Sequence, residues 1–144
     1  MTVYADTSFF VSIYVEDRHS TVAEQIIKSG SLIWFTPLHY AEWTHAIAQQ
    51  VFHKKMSAAE AQQTYRLLEK DRAVGLWVET AMPEGTFDIC ADLARRHGPR
   101  LGVRTLDSLH VATALQLKTE QFWTFDERQA KLARAEGLKT ALSV

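Results

Sequence analysis

Three stretches of this sequence are almost stripped of charge, and each keeps a single carboxylate. Met1 to Val15 holds only Asp6, Ser29 to His53 only Glu42, and Thr105 to Leu117 only Asp107. At the chain's average of 23% charged residues, about twelve charges would fall in these stretches instead of three. Segments this apolar belong in a core. A lone carboxylate there costs several kcal/mol unless it is paired or ligates a cation. No Lys or Arg lies inside any of the three stretches, and Arg104, one helical turn before Asp107, is the one near candidate. The fold must therefore bring these acids to distant bases or converge them on a metal. A fourth acid, Asp126, closes the apolar run Gln121 to Phe125 and is followed directly by Glu127 and Arg128.

The apolar runs read as buried strands. Val3-Tyr4-Ala5, Leu32 to Phe35, Leu76 to Val78 and Phe122 to Phe125 are short and continuously apolar, with a weak fifth run from Lys139 to Leu142. Helices with readable ends lie between them. Thr36 with Pro37 opens one to about Phe52, and the capping box Ser57 to Glu60 opens another to about Lys70. Pro83 opens a third, which Gly98-Pro99 is expected to stop; a fourth starts at Asp126 and closes at Gly137. Strands alternating with helices predict a three-layer α/β/α sandwich around a parallel sheet. A length of 144 residues predicts one domain, 1–144.

Composition removes other classes. With 47% hydrophobic residues the chain is neither disordered nor fibrous, and one cysteine, Cys90, excludes an internal disulfide framework and a multi-cysteine zinc site. The longest apolar run, Ser8 to Val15, is too short to span a bilayer and follows Asp6 rather than basic residues, so a soluble cytoplasmic protein with no membrane partner is expected.

Geometry favours convergence of the acids. Asp6 and Asp126 each fall at the carboxyl end of an expected parallel strand, the edge at which open α/β sheets bind ligands. Glu42 falls in the second turn of the helix after the second strand, near the same edge. Oxygen-only ligands suit Mg²⁺ or Mn²⁺. Plainer readings stand beside this one: Asp6 caps the helix starting near Ser8, Asp126 caps its own helix, and Asp107 pairs with Arg104. Glu42, among Tyr40, Ala41, Trp43 and Ala46, has no such alternative.

Other chemistry is sparse. The histidines lack metalloprotease spacing, and His110 reads as a packed or supporting residue; no histidine is in local register with Thr7 or Ser8, and no glycine-rich phosphate loop is present. Cys90 and the four tryptophans read as core or partner surface. Arg95, Arg96, Arg100 and Arg104 fall within ten residues that contain no acid and lead into Asp107. Arg95 and Arg96 suit a solvated helix end, whereas Arg100 and Arg104 suit a phosphate-binding rim. A net charge of −1 does not exclude a polyanion, because outside the four acids thirteen carboxylates face sixteen bases.

Four motifs in order resemble the PIN-domain ribonucleases and, within them, the VapC-type toxins of prokaryotic toxin–antitoxin pairs. They are Tyr4-Ala5-Asp6-Thr7-Ser8, Pro37 to Trp43 with Glu42, Arg104 to Ala112 with Asp107, and Thr124 to Gln129 with Asp126. The resemblance implies a five-stranded parallel sheet of order 3-2-1-4-5. It also implies an Mg²⁺- or Mn²⁺-dependent endoribonuclease, usually a homodimer, inhibited by a small antitoxin protein. Asp6, Glu42, Asp107 and Asp126 would be its catalytic and metal-binding residues, with Thr7, Ser8 and Thr124 as supporting hydroxyls. A PIN nuclease without an antitoxin, acting in RNA processing or on DNA, is a second reading. A receiver-like signalling domain is a remote third.

Overall fold

The computed structural model describes residues 1–140. Its elements are β1 (Thr2–Ala5), α1 (Thr7–Tyr14), α2 (Ser20–Lys28), β2 (Leu32–Phe35), α3 (Pro37–Phe52), α4 (Ala58–Ala73), β3 (Val78–Glu79), α5 (Thr86–Leu101), α6 (Thr105–Gln116), β4 (Gln121–Trp123), α7 (Glu127–Ala135) and β5 (Lys139–Thr140). All strand pairings are parallel, in the order β3-β2-β1-β4-β5. This is the expected order, and it differs from the 2-1-3-4-5 order of receiver-like folds.

Alternation along β1 explains the layers. Val3 and Ala5 join Phe9, Phe10, Ile33, Trp43 and Trp123 on one face of the sheet, covered by α1, α3 and α4. Tyr4 points the other way and joins Leu93, Leu109, Val111, Phe122 and Leu132 from α5, α6, β4 and α7. Successive strand residues face opposite sides, so a continuous apolar run is what a strand buried on both faces requires. Since helices after β1 and β2 cover one face and those before and after β4 the other, the topology reverses between β1 and β4. A cleft opens at the carboxyl ends of strands at such a point.

Several boundaries differ from expectation. Pro83 does not begin a helix; it sits in a turn in which the Thr86 N–H and Oγ1 both bond to its carbonyl, and α5 starts after Gly85, at φ +84°. Nor do Gly98 and Pro99 stop α5. Pro99 lies in the last turn, where its missing N–H removes one hydrogen bond, and the helix ends only when Gly102 turns left-handed at φ +64°. Burial of His97 one turn earlier holds that last turn against the domain. β3 begins at Val78, not Leu76, and β4 ends at Trp123, not Phe125. Thr124 instead points its hydroxyl into the switch-point cleft, and Phe125 stacks on His19 at 3.9 Å. The fifth strand is Lys139–Thr140, and the part expected at 141–142 lies outside the described residues. No helix among the described residues is long and apolar enough to cross a membrane.

Candidate active site

Asp6 leaves the end of β1 with its backbone N–H on the Trp123 carbonyl at 3.0 Å. It occupies the cap position of α1 in extended conformation, but its side chain makes no cap bond. The carboxylate turns instead to two hydroxyls: Ser8 Oγ donates to Oδ1 at 2.5 Å and Thr124 Oγ1 to Oδ2 at 2.6 Å. The capping reading of Asp6 is thereby excluded. Only 8% of Asp6 is exposed, and no Lys or Arg among the described residues pairs with it. Burial raises its pKa above the usual carboxylate value, against the pull of Ser8 and Thr124.

Glu42 is placed by α3, whose start is tied to β1. The Thr36 N–H donates to His39 Nδ1 at 3.0 Å, and His39 Nε2 donates to the Ala5 carbonyl at 2.7 Å. His39 is fully buried, and burial first, then the nearby His110, holds its pKa well below the ordinary value. Neutral His39 therefore fixes the residue before Asp6 against the turn that leads to Glu42. One turn on, Glu42 Oε1 accepts Thr7 Oγ1 at 2.7 Å and meets His110 Nε2 at 2.5 Å. The other ring nitrogen, Nδ1, lies 2.6 Å from Tyr4 Oη. Burial raises the Tyr4 pKa far above its usual value, so the phenol keeps its proton and donates it to Nδ1, leaving Nε2–H for Glu42. Burial also pushes the Glu42 carboxyl up, but the hydrogen bonds it accepts from His110 and Thr7 outweigh it and lower its pKa. No residue near Glu42 along the chain offers it a structural partner; the structure pairs it with His110, sixty-eight residues away.

Asp107 lies in the first turn of α6. Its Oδ2 accepts the Arg104 N–H at 3.3 Å and stands 3.7 Å from Arg104 Nε. The Arg104 side chain is 79% exposed, so this pair contributes little. Asp126 caps α7: its Oδ1 accepts the N–H groups of Arg128 at 2.8 Å and Gln129 at 3.1 Å. It therefore sits three residues past β4 rather than at the strand end, and its own N–H donates to Thr124 Oγ1 at 3.0 Å. Thr124 thus links Asp6 to Asp126 through one hydroxyl. Gln129, 1% exposed, reaches the Asp107 carbonyl with Nε2 at 3.4 Å, while its buried Oε1 has no hydrogen-bond partner among the described residues.

The acids are thus each held by their own donors, with Thr124 linking Asp6 to Asp126 and Gln129 linking Asp126 to the Asp107 carbonyl, rather than converging side by side as the sequence led one to expect. Among the described residues no three His, Cys, Asp or Glu side chains stand close enough together to hold one ion. The chemistry of the donor set nevertheless fits a hard divalent cation. Among the described residues Asp6 is a buried carboxylate whose hydrogen-bond partners are the hydroxyls of Ser8 and Thr124, and Gln129 adds a buried oxygen without a partner. Of the sequence candidates, Thr7, Ser8 and Thr124 contact the acids directly. Sequence reading missed His39 as a positioning residue, Tyr4 as the partner of His110, and Gln129. The one local signal was Thr36-Pro37-Leu38-His39, a capping box with His in the place of Glu or Gln.

Similarity to known proteins agrees with this fold. Solved structures with the same fold include VapBC2 from Rickettsia felis bound to a DNA fragment from their promoter, at 14% identity and TM-score 0.66, with 98% of each chain covered. FitAcB from Neisseria gonorrhoeae matches at 15% identity and TM-score 0.70, covering 96% of this chain and 95% of that one. Mycobacterium tuberculosis VapC20, a sarcin-ricin loop cleaving toxin, matches at 14% identity and TM-score 0.69, covering 94% and 95%. No protein of curated function matches the sequence. A model of the PIN domain matches residues 3–135, a span that contains all four acids and the positioning side chains Tyr4, Thr7, Ser8, His39, His110 and Thr124. With that match and the 3-2-1-4-5 sheet, the chain belongs to the PIN-domain family.

Proposed function

We propose that this protein is a divalent-metal-dependent endoribonuclease and the toxin of a VapBC-type toxin–antitoxin pair, working in the cytoplasm as a homodimer restrained by a small antitoxin. The observation that carries the proposal is Asp6, a buried carboxylate without a Lys or Arg partner among the described residues, at the topological switch point of a PIN-domain sheet. The names of the structural neighbours, VapBC2, FitAcB and a sarcin-ricin loop cleaving toxin, support the choice of substrate and partner.

Asp6, Glu42, Asp107 and Asp126 would hold Mg²⁺ or Mn²⁺. When bound, such an ion lowers the pKa of a ligated water and stabilises charge at a phosphodiester under attack. The chain's own groups then have defined tasks. Ser8 and Thr124 hold the two oxygens of Asp6, Thr7 and His110 aim Glu42, and His39 keeps β1 and α3 in register. Arg100 and Arg104 contact RNA phosphate.

The test is RNA cleavage by protein purified free of any partner, with Mg²⁺, with Mn²⁺ and with EDTA. Cleavage is expected only with metal, and Asp6→Asn, Glu42→Gln and Asp107→Asn are expected to abolish it in folded protein. Cleavage that persists in EDTA, or in two of the three variants, refutes the reading.

A further inference from the structure

A cleft of about 600 Å³ opens beside Asp126, away from the hydroxyls that hold Asp6. Arg100 near the end of α5, Arg104 before α6, and Arg128 and Lys131 on α7 line it, together with Asp126 and Glu127. The fold alone assembles these four cations, since residues 100 and 131 meet only through packing of α5 and α7.

The cations are not neutralised from within. Glu127 is drawn off by Arg134 at 2.9 Å, and Asp126 spends Oδ1 on the N–H groups of α7. Among the described residues no carboxylate pairs with Arg100, Arg128 or Lys131, and Arg104 meets Asp107 only at 3.7 Å. Two of the cations are nonetheless held in place. Arg100 Nη2 lies 2.9 Å from His97 Nδ1, and His97 is anchored through Nε2 to Glu136 at 2.8 Å. Arg128 Nη1 donates to the Gly102 carbonyl at 3.4 Å. The positive end of the α7 dipole faces the same space.

We propose that this cleft binds the phosphodiester phosphate of single-stranded RNA adjacent to the one at the acids, with Arg128 and Lys131 completing the contact made by Arg100 and Arg104. The proposal rests on the nuclease reading above and deepens it. Asp126 belongs both to the acid set and to the cleft wall, so an RNA strand laid across the acids continues into the cleft at the next phosphate. Arginine forks match phosphate and carboxylate oxygens alike, so the choice of RNA over an acidic peptide rests on the continuity of the cleft with the acid set through Asp126.

The experiment measures binding of a fluorescent single-stranded oligoribonucleotide in EDTA across a salt titration, apart from any cleavage assay. The Arg128→Gln/Lys131→Gln double variant is expected to bind roughly ten-fold more weakly at low salt and to lower the slope of log K against log salt by about 1 to 2. Lys28→Gln, at the end of α2, is expected to leave the slope unchanged. An unchanged slope in the double variant overturns the proposal, and so does an equal loss in Lys28→Gln, which would mark a general charge effect. Poly-glutamate titrated in parallel is expected to show no difference between wild type and the double variant; loss of poly-glutamate binding with RNA binding intact would make the cleft a peptide site and overturn it. Failure of the nuclease reading shows separately, as metal-independent or absent cleavage by a protein whose RNA binding still follows the cleft.

Discussion

His110 Nε2 stands 2.5 Å from Glu42 Oε1, and on the far side of the ring Nδ1 stands 2.6 Å from Tyr4 Oη. The acid of α3 is thereby aimed by a residue of α6 that is itself held by β1. Three elements from both faces of the sheet meet in one hydrogen-bonded line. Replacing His110 by Ala leaves the Tyr4 hydroxyl buried without a partner and Glu42 with Thr7 alone, at an expected cost of roughly 2–4 kcal/mol in urea unfolding at neutral pH. Because the folded-state pKa of Glu42 is lowered, its contribution to stability is present above its ordinary value of 4.5 and fades as pH falls through the lowered one. The gap between wild type and variant is therefore expected to narrow in acid, and a constant gap would show that the charge on Glu42 is not involved.

Asp6 is expected to behave in the opposite sense. Burial raises its folded-state pKa, so its contribution to stability is full below the ordinary value of 3.8 and is lost as pH rises through the raised one. In EDTA at neutral pH, Asp6→Asn removes that penalty, and the amide can still bond the hydroxyls of Ser8 and Thr124. Thermal melting should be unchanged or higher by a few degrees, while the stabilisation that excess Mn²⁺ gives wild type should vanish. A markedly lower melting point in EDTA would mean that the carboxylate is a structural prop.

Asp107 separates ligand from ion-pair partner. Its contact with the exposed Arg104 guanidinium is long, so Asp107→Asn should change melting in EDTA by less than about 1 kcal/mol equivalent. Loss of Mn²⁺ stabilisation in the same variant is expected. A drop of several degrees without metal would assign Asp107 to holding α6.

Glu136 marks a site where charge does stabilise. Arg96, at 2.8 Å, and then His97 hold its pKa down to about 2, though burial opposes them. After allowance for screening, Glu136→Gln should cost about 1 kcal/mol at neutral pH. That contribution is present above the ordinary value of 4.5 and lost as pH falls toward 2. Guanidinium unfolding at pH 7 and pH 2.5 would check it, and an equal loss at both would refute the ionic origin.

How much of this was legible in the sequence depended on distance along the chain. The strands β1 and β2, the caps at Thr36 and Ser57 and the four acids are local signals, and each was readable. The stop at Gly98-Pro99 misled because a proline in a last turn forfeits only one hydrogen bond, and Gly102 is the true end. Asp126 taken alone read as a cap before a ligand, and its cap bonds are present. The partner of Glu42 lies on another helix, and no periodicity announces it. His39 was hidden by chemistry, since an imidazole fills a place in the capping box where a carboxylate or amide is usual.

The central strand β1 precedes in sequence the strands on both its sides. β1 pairs with β2 through residues 32 and 33, but its other edge stays bare until residues 121–123 exist to form β4. A ribosome-bound chain therefore carries an unpaired inner edge through most of translation, and Thr124, the hydroxyl that fixes Asp6, arrives only after it. The catalytic arrangement proposed here would thus wait on synthesis order, since a partial chain without Thr124 leaves Ser8 alone on the Asp6 carboxylate.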